Sequence, residues 1–356
     1  MLAKRILKVL FSIAWTIIAA ELFLRIFHPV PILPRYVAST DYGVRANMAN
    51  QSYWHRTPEY VINIRTNNKG LRADEDIPYE KPPGVKRIVV LGDSFGMGYG
   101  VDLEDTFLNQ MNQRLRNAGY NTQVVNLSVS GYGTAEELLA LRHEGIKYDP
   151  DLVIVVWHHT DLQNNQTSNL FSLSNGRLAR QNDSYQPAAR IREILFSYSV
   201  YRWIAGNSHL YTFLREKASS LTHKIIRSIQ STDNQSDNSG HLTEPAGVNG
   251  TRSQQTLAVA LLHAIRKEGE MNEARTIILD IPLRISRTEF VSTFPSGENN
   301  ETYDLDVVNP IPVFRQHKGE MLYWEKSHGH FTPLGCRLVG QVLARHIVSE
   351  GLLDSN

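Results

Sequence analysis

The sequence predicts an α/β domain, a three-layer α/β/α sandwich around a parallel sheet, preceded by a transmembrane helix. Four short segments rich in Val and Ile alternate with helical patterns, which is typical of parallel sheets. The third segment, residues 151–157, is almost continuously apolar, as expected for a strand covered on both faces. An apolar run close to the start of the chain predicts the membrane helix.

Composition limits the classes of function. A chain of 356 residues with 42% hydrophobic content can bury the core of one large domain with appendages. The net charge of +1, from 37 basic and 36 acidic residues, predicts no nucleic-acid partner. Cys336 is the only cysteine, which excludes a disulfide framework and a thiolate metal cluster.

The amino-terminal segment predicts an uncleaved signal anchor over residues 1–28. Three basic residues precede an uncharged run at residues 9–20. Counted over residues 6–27, a helix would be about 33 Å long, enough for a bilayer core of about 30 Å. A cleavage site would place Ile18 where a small side chain is needed. The preceding basic residues predict a single pass through the cytoplasmic membrane, with the remaining chain in the periplasm of a bacterium.

The remaining chain divides into two predicted parts. Residues 29–84, rich in Pro, Tyr and Asn, predict a stalk and cover segment, and residues 85–352 predict the main domain. Within that domain, residues 231–255 are dense in Ser, Asn, Asp, Gly and Thr and predict a mobile loop. Strands are predicted at residues 87–91, 123–127, 151–157 and 276–281. Helices are predicted at about residues 104–116, 135–147, 188–230 with a break at Gly206, 253–267 and 333–349.

A candidate nucleophile follows the first strand. Residues 87–91 end at Gly92-Asp93-Ser94, and glycines at 96, 98 and 100 let the backbone approach whatever lies over Ser94. Open α/β sheets keep their functional sites at the carboxyl ends of strands. Ser94 is therefore either a nucleophile or part of an ordinary strand-to-helix turn.

This segment resembles the first block of the GDSL/SGNH hydrolase superfamily, whose serine is the acyl-accepting nucleophile. Residues 126–133 resemble the glycine block of the same superfamily. The resemblance spans most of residues 87–347 and implies an SGNH, flavodoxin-like sandwich. It also implies that the backbone N–H groups of Ser94 and Gly131 form an oxyanion hole.

The third block departs from the family pattern. Where the family has Gly-x-Asn-Asp, residues 158–161 read His-His-Thr-Asp, so Asp161 matches the aspartate and Thr160 replaces the oxyanion-binding asparagine. A threonine hydroxyl donates one hydrogen bond but reaches less far than a carboxamide, and His159 is a second candidate donor. Losing one such donor usually costs about 3–4 kcal/mol of transition-state stabilisation. Adjacent residues at a strand end point to opposite faces, so we expect no metal site here.

The fourth block, residues 327–335, opens the last helix and resembles the histidine block of the family, which makes His330 the general base. The family aspartate is missing. Glu325, His328 or a backbone carbonyl could orient the imidazole, and the carbonyl would leave a Ser–His dyad. Asp93 and Asp161 are expected as supporting residues.

The resemblance implies a membrane-tethered serine ester hydrolase that needs no metal or organic cofactor. Its substrates would be small acyl esters, for instance O-acetyl groups on a glycan of the cell envelope. The same serine could instead serve a polysaccharide O-acetyltransferase. The altered third and fourth blocks also suggest a different class, a catalytically inactive protein that binds glycans or assists their assembly.

Overall fold

The computed structural model of the chain describes residues 2–218, 221, 250–295 and 303–354. The strands are β1 (Val37–Ser39), β2 (Arg45–Asn47), β3 (Ser52–Arg56), β4 (Val61–Arg65), β5 (Lys86–Leu91), β6 (Thr122–Asn126), β7 (Leu152–Trp157), β8 (Phe171–Ser174), β9 (Arg177–Arg180), β10 (Arg275–Asp280), β11 (Leu283–Arg284), β12 (Phe290–Val291) and β13 (Val307–Val308). The helices are α1 (Leu2–Phe27), α2 (Phe107–Asn117), α3 (Thr134–His143), α4 (Thr160–Ser168), α5 (Ala189–Ser197), α6 (Ser199–Asn207), α7 (Arg252–Met271), α8 (Ile311–Gln316) and α9 (Pro333–Ser349). Residues 209–218 are also helical.

The central sheet confirms the predicted fold class. Within the described residues, five parallel strands lie in the order β13, β10, β7, β5 and β6. The four strands predicted from the sequence correspond to β5, β6, β7 and β10, with ends within one residue of those expected. The edge strand β13 has two residues, which is too short to produce a recognisable pattern in sequence.

Helices cover both faces of this sheet. The alternation of side chains along a strand places Val153 in one buried cluster and Ile154 in the other. Helices α3 and α7 pack together on one side, and α2 and α9 on the other. A Cβ atom on Gly340 of α9 would lie 2.7 Å from the Phe107 carbonyl oxygen, so this glycine allows the close approach of α2 and α9.

The first helix is attached to the domain at its carboxyl end. α1 is long and apolar enough to cross a membrane, by length and composition. Near its end, Glu21 accepts hydrogen bonds of 2.8 to 3.0 Å from the Ser208 hydroxyl and from the amides of residues 209 and 210. Arg25 lies 3.1 Å from Glu21, one helical turn away, and donates to the Asn207 carbonyl.

Residues 29–84, which we call the cover, pack against the domain. Val30 and Ile32 are already buried directly after α1. The hairpins β1–β2 and β3–β4 follow. Their aromatic side chains extend a third buried cluster that includes Tyr36, Tyr53, Tyr60, Met97, Tyr99 and Phe196. The sequence pattern of short alternating pieces did not reveal this packing, because its partners lie far along the chain.

The insertion after β7 is helical, as predicted, but its breaks differ. Residues 189–197, 199–207 and 209–218 are helical, with interruptions at Tyr198 and Ser208 in place of the predicted break at Gly206. Gly206 lies within α6, one residue before its end. The remainder of the predicted helix, apart from residue 221, lies outside the described residues.

The predicted mobile loop ends earlier than expected. Residues 231–249 lie outside the described residues, and Arg252 already begins α7, so the loop assignment of residues 252–255 is wrong. Thr251 accepts from the Gln254 amide, and the Gln254 side chain accepts from the Thr251 amide. This reciprocal capping box stabilises the helix start and was present in the sequence as Thr-x-x-Gln.

Candidate active site

Ser94 lies on a tight turn at the carboxyl end of β5. The Asp93 carboxylate accepts from the Phe95 amide at 2.8 Å, and the Ser94 carbonyl accepts from the Tyr99 amide at 3.1 Å. Gly98 has a φ of +72°, in the left-handed region that favours glycine. Two hydrogen bonds and a left-handed glycine therefore stabilise this turn, which presents the Ser94 side chain at the rim of the sheet.

A buried arginine from the cover holds this turn in place. The Arg72 guanidinium donates to the carbonyl oxygens of Met97, Gly98 and Val101 at 2.5 to 2.7 Å. Burying a guanidinium is costly unless its donors are paired, and here three carbonyls of one turn serve as acceptors. The cover thus fixes the conformation of the segment that carries Ser94.

His330 comes from the opposite end of the domain and meets Ser94. Its Nε2 lies 2.8 Å from the Ser94 Oγ. The Trp324 amide donates to the His330 carbonyl at 2.8 Å, next to the bridge that precedes α9. The imidazole packs beside Phe95 and Tyr99, with ring centroids 5.0 and 5.5 Å away. This contact between hydroxyl and imidazole is the arrangement in which a base can remove a proton from a nucleophile.

His330 is only 7% exposed. Burial lowers its pKa to about 4, while the Asp93 charge raises it and the His158 charge lowers it. The ring is therefore neutral at physiological pH, which is the form that accepts a proton.

The group that orients the His330 ring would be a hydrogen-bond partner of its other nitrogen, Nδ1. Nδ1 has no hydrogen-bond partner of ordinary geometry among the described residues, although the Ser327 carbonyl favours the protonated ring and raises its pKa. Glu325 instead binds Arg287 at 2.6 and 2.9 Å. His328 has its Nε2 3.9 Å from Glu216.

The structure thus gives neither Glu325 nor His328 the predicted orienting role. Of the three alternatives, the structure favours the backbone carbonyl of Ser327, which leaves a Ser–His dyad. Packing against the aromatic rings of Phe95 and Tyr99 restricts the imidazole in place of a carboxylate, and the Trp324 amide holds the His330 backbone.

The two predicted backbone donors are available. In the part of the chain that the structure describes, neither the Ser94 N–H nor the Gly131 N–H donates to another protein group. Asn126 links their loops, donating to the Gly96 carbonyl at 2.8 Å and accepting from the Ser128 amide at 3.1 Å. These N–H groups can therefore donate to an oxyanion.

The third block makes hydrogen bonds within itself. The Thr160 hydroxyl lies 2.8 Å from His158 Nδ1, and the buried Asp161 accepts from the His158 amide at 3.0 Å. Neither Thr160 nor His159 lines the cavity that contains Ser94. Burial raises the pKa of Asp161 well above its ordinary value. The structure therefore pairs the Thr160 hydroxyl within the block and buries Asp161, and neither of the predicted side-chain donors, Thr160 and His159, lines the cavity.

Asp93 provides a buried negative charge near His330. It is buried, and its Oδ2 lies 3.5 Å from His158 Nδ1. Burial opposes ionisation of Asp93, but the hydrogen bonds from His158 and from the Phe95 amide outweigh it and hold the pKa below its usual value. The resulting negative charge acts on His330 through space.

Among the described residues, no group of three or more His, Cys, Asp or Glu side chains could hold a metal ion.

A cavity of about 470 Å³ opens over the Ser94–His330 pair. Its described wall comprises Ser94, Tyr99, Ser130, His328 and His330 near the sheet rim, Leu33 and Arg35 from the cover, and Arg192, Phe196, Tyr201, Tyr211, Arg215 and Glu216 from the insertion. The sequence did not predict the roles of these arginines. They lie outside the four blocks, and only the packing of the cover and insertion brings them to the site.

No family model matches the chain, and no curated protein matches it in sequence. Similar solved structures include one titled TesA, with 12% identity, a TM-score of 0.41, and coverage of 75% of this chain and 100% of that chain. The psychrotrophic esterase EstA from Pseudoalteromonas sp. has 14% identity, a TM-score of 0.39, and coverage of 74% and 98%. A member of the lipolytic protein G-D-S-L family from Veillonella parvula has 11% identity, a TM-score of 0.38, and coverage of 74% and 97%. Likeness at this distance carries no argument about activity, which rests on the geometry of the site.

Proposed function

We propose that this chain is a membrane-tethered serine ester hydrolase of the SGNH type. Ser94 is the nucleophile and His330 the general base. The observation that carries the proposal is the 2.8 Å contact between Ser94 Oγ and His330 Nε2. A neutral imidazole at that distance, on the wall of an open cavity, supports proton removal from the hydroxyl.

The reaction proceeds through an acyl-enzyme. Ser94 Oγ attacks the ester carbonyl carbon while its proton moves to His330 Nε2. The Ser94 and Gly131 N–H groups hold the oxyanion. When the tetrahedral intermediate collapses, the bond to the alcohol oxygen breaks and His330 returns the proton to that oxygen. Water then attacks the acyl-enzyme, giving a proton to His330, and the carboxylic acid leaves as Ser94 regains its hydrogen.

A Ser–His dyad agrees with the absence of the family aspartate from the fourth block. A carboxylate usually holds the base in the right tautomer and stabilises the imidazolium that forms. Here Asp93 contributes negative charge without contacting the ring, and the Ser327 carbonyl favours its protonated form. We therefore expect a working base that stabilises the imidazolium less than a full triad does.

The amino-terminal helix supports a retained anchor. Glu21 of α1 is bonded to residues 208–210 of the insertion, so the end of the helix is part of the domain structure. The basic residues before the apolar run favour a cytoplasmic amino terminus. Both observations support a site outside the cytoplasmic membrane, where small acyl esters on an envelope glycan are the proposed substrates.

Covalent labelling tests the nucleophile. A serine-directed fluorophosphonate should label the wild-type chain and fail to label Ser94→Ala, while both proteins show the same cooperative melt. Ser130→Ala is the matched control, because Ser130 is a second hydroxyl on the same cavity wall. Label on Ser94→Ala, or no label on the folded wild-type protein, would refute the proposal.

Product analysis then identifies the acceptor. Hydrolysis releases free acid from an acyl ester in water alone. Transfer to a sugar hydroxyl would use the same acyl-enzyme but give acylated glycan only when glycan is supplied. Acid release that is independent of added glycan supports the hydrolase, and acylated glycan as the main product supports the transferase.

A further inference from the structure

Three arginines of the described cavity wall form a cationic surface beside Ser94. We name Arg35, Arg192 and Arg215 the arginine cluster. Arg35 belongs to the cover, and the other two belong to the helical insertion. Although protein surrounds Arg35 on most sides, its side chain remains accessible because it faces the open cavity. The cluster is therefore available to a bound molecule.

The arginine cluster has no anionic partner in the described structure, and Arg215 lies over the Tyr211 ring, 5.9 Å from its centroid. None of its guanidinium groups forms an ion pair or hydrogen bond with another described residue. The Nη1 of Arg192 is enclosed without a partner. Burial lowers the pKa of Arg192, and the nearby charges of Arg35 and Arg215 lower it further. Like charges held together in a partly enclosed space repel each other, so an anion entering this space would relieve the repulsion.

The rest of the wall provides little negative charge. Glu216 is the acidic side chain of the described wall, and it lies 3.9 Å from His328 Nε2. Three guanidinium groups therefore face one carboxylate. The wall would therefore attract an anionic ligand more strongly than a neutral ligand of the same shape.

The cluster is also close to the reaction centre. Arg35 Nη1 lies 3.5 Å from the position that a Cβ atom on Gly131 would occupy. Gly131 carries one of the two candidate oxyanion N–H groups, and Ser94 is on the same cavity wall. A ligand that spans the cavity can thus contact the arginine cluster while its ester reaches Ser94.

We propose that the cavity takes acyl esters that carry an oxyanionic group, a carboxylate or a phosphate, and that the arginine cluster binds this group. The inference rests on the proposed hydrolase function and specifies its substrate class. Guanidinium is the side chain best suited to bidentate recognition of carboxylate and phosphate. Binding the anion at the cluster leaves the uncharged ester for Ser94 and His330.

Binding to the full chain of Ser94→Ala in detergent micelles tests the inference without turnover. The probes are methyl glucuronoside against methyl glucoside for the carboxylate, and glycerol 3-phosphate against glycerol for the phosphate. By calorimetry, at least one anionic probe should bind at least about tenfold more tightly than its neutral partner, consistent with charged hydrogen bonds. The arm that shows the preference identifies the anion.

Substitutions test whether the arginine cluster causes the preference for the anionic probe. Arg192→Gln combined with Arg215→Gln should weaken the favoured anionic probe at least about tenfold, and Arg192→Lys should weaken it less because the charge remains. Arg190→Gln is the matched control: it removes an exposed arginine from the same helix, outside the cavity wall, and should leave the affinity unchanged. Thermal melts should show that all the variants fold.

The outcomes separate this inference from the proposed function. Equal binding of charged and neutral probes, or unchanged binding by the double variant, would overturn the arginine cluster as an anion site. Fluorophosphonate labelling of Ser94 in that case would leave the hydrolase standing. Anion binding by Ser94→Ala that the double variant loses, in a chain whose wild type takes no label, would support the site and reject the hydrolase.

Discussion

Two neighbouring parts of the sheet rim differ in what they present to the cavity. β5 and β7 are adjacent strands, and polar residues follow each of them. The turn after β5 places Ser94 on the cavity wall, in contact with His330. The segment after β7 passes directly into α4 and turns Thr160 toward His158.

This difference shows that the turn after a strand determines what reaches the site. The Ser94 turn is held by left-handed glycines and by Arg72. In the segment after β7, the Asp161 carboxylate accepts a hydrogen bond from the His158 amide. Equivalent positions along two strands can therefore face a ligand or a buried network.

The largest expected effect tests the Ser94–His330 side of the comparison. His330→Ala should lower kcat/KM for a small acyl ester by at least about 10³-fold, because the serine loses its base. Steady-state kinetics with a melting curve measure this. His317→Ala, on an exposed turn outside the cavity wall, is the control. Activity within tenfold of wild type for His330→Ala would contradict the assignment.

The next effect is a pH dependence. Because burial lowers the His330 pKa to about 4, the neutral active ring is present above that pH and is lost below it. We expect kcat/KM to stay nearly level from pH 7 to 5 and to fall about tenfold per pH unit below about 4. A profile measured from pH 3.5 to 8 checks this. An acid limb near 6.5 would show that the ring is not buried in the neutral form.

The same group affects folding. Between pH 6.5 and about 4 the unfolded chain binds a proton on His330 that the folded chain does not, so stability should fall as the pH drops through this window. Denaturant titrations at several pH values would measure it. His330→Gln should flatten this part of the curve, and an unchanged curve would count against the shifted pKa.

A smaller effect tests the segment after β7. Thr160→Val should slow turnover by less than about tenfold, because the hydroxyl binds His158 and does not line the cavity. Loss of that hydrogen bond should cost about 1 kcal/mol of unfolding free energy. Steady-state kinetics and a denaturant titration of the variant measure the two effects. Turnover that is slower by about a hundredfold or more would show that Thr160 is an oxyanion donor after all.

The smallest expected effect concerns the orientation of His330. Glu325→Gln should leave kcat/KM within about twofold of wild type, because Glu325 binds Arg287 at the surface. Parallel kinetics of Arg287→Gln provide a matched control, since both changes break the same pair. A drop of tenfold or more for Glu325→Gln alone would restore this carboxylate as the orienting group.

Local patterns predicted the framework because strands and turns depend on nearby residues. The apolar segments located β5, β6, β7 and β10, and the glycine turn marked Ser94. The capping box at Thr251 was also readable, and it would have corrected the end of the predicted loop. In contrast, nothing in residues 29–84 showed that Arg72 would hold the nucleophile turn. Its acceptors are backbone carbonyls, which every residue has, so the residue types do not reveal them.

The sequence by itself determined four strands of the central sheet, their alternation with helices, and the two side chains, Ser94 and His330, whose chemistry suits acyl transfer. Only the tertiary structure decided that they touch, that Glu325 pairs elsewhere, and that an arginine cluster faces the same cavity. The physical reason is distance along the chain. Periodicity and capping act within a few residues, whereas the site combines groups from the cover, the sheet rim, the insertion and the last helix, whose positions depend on long-range packing.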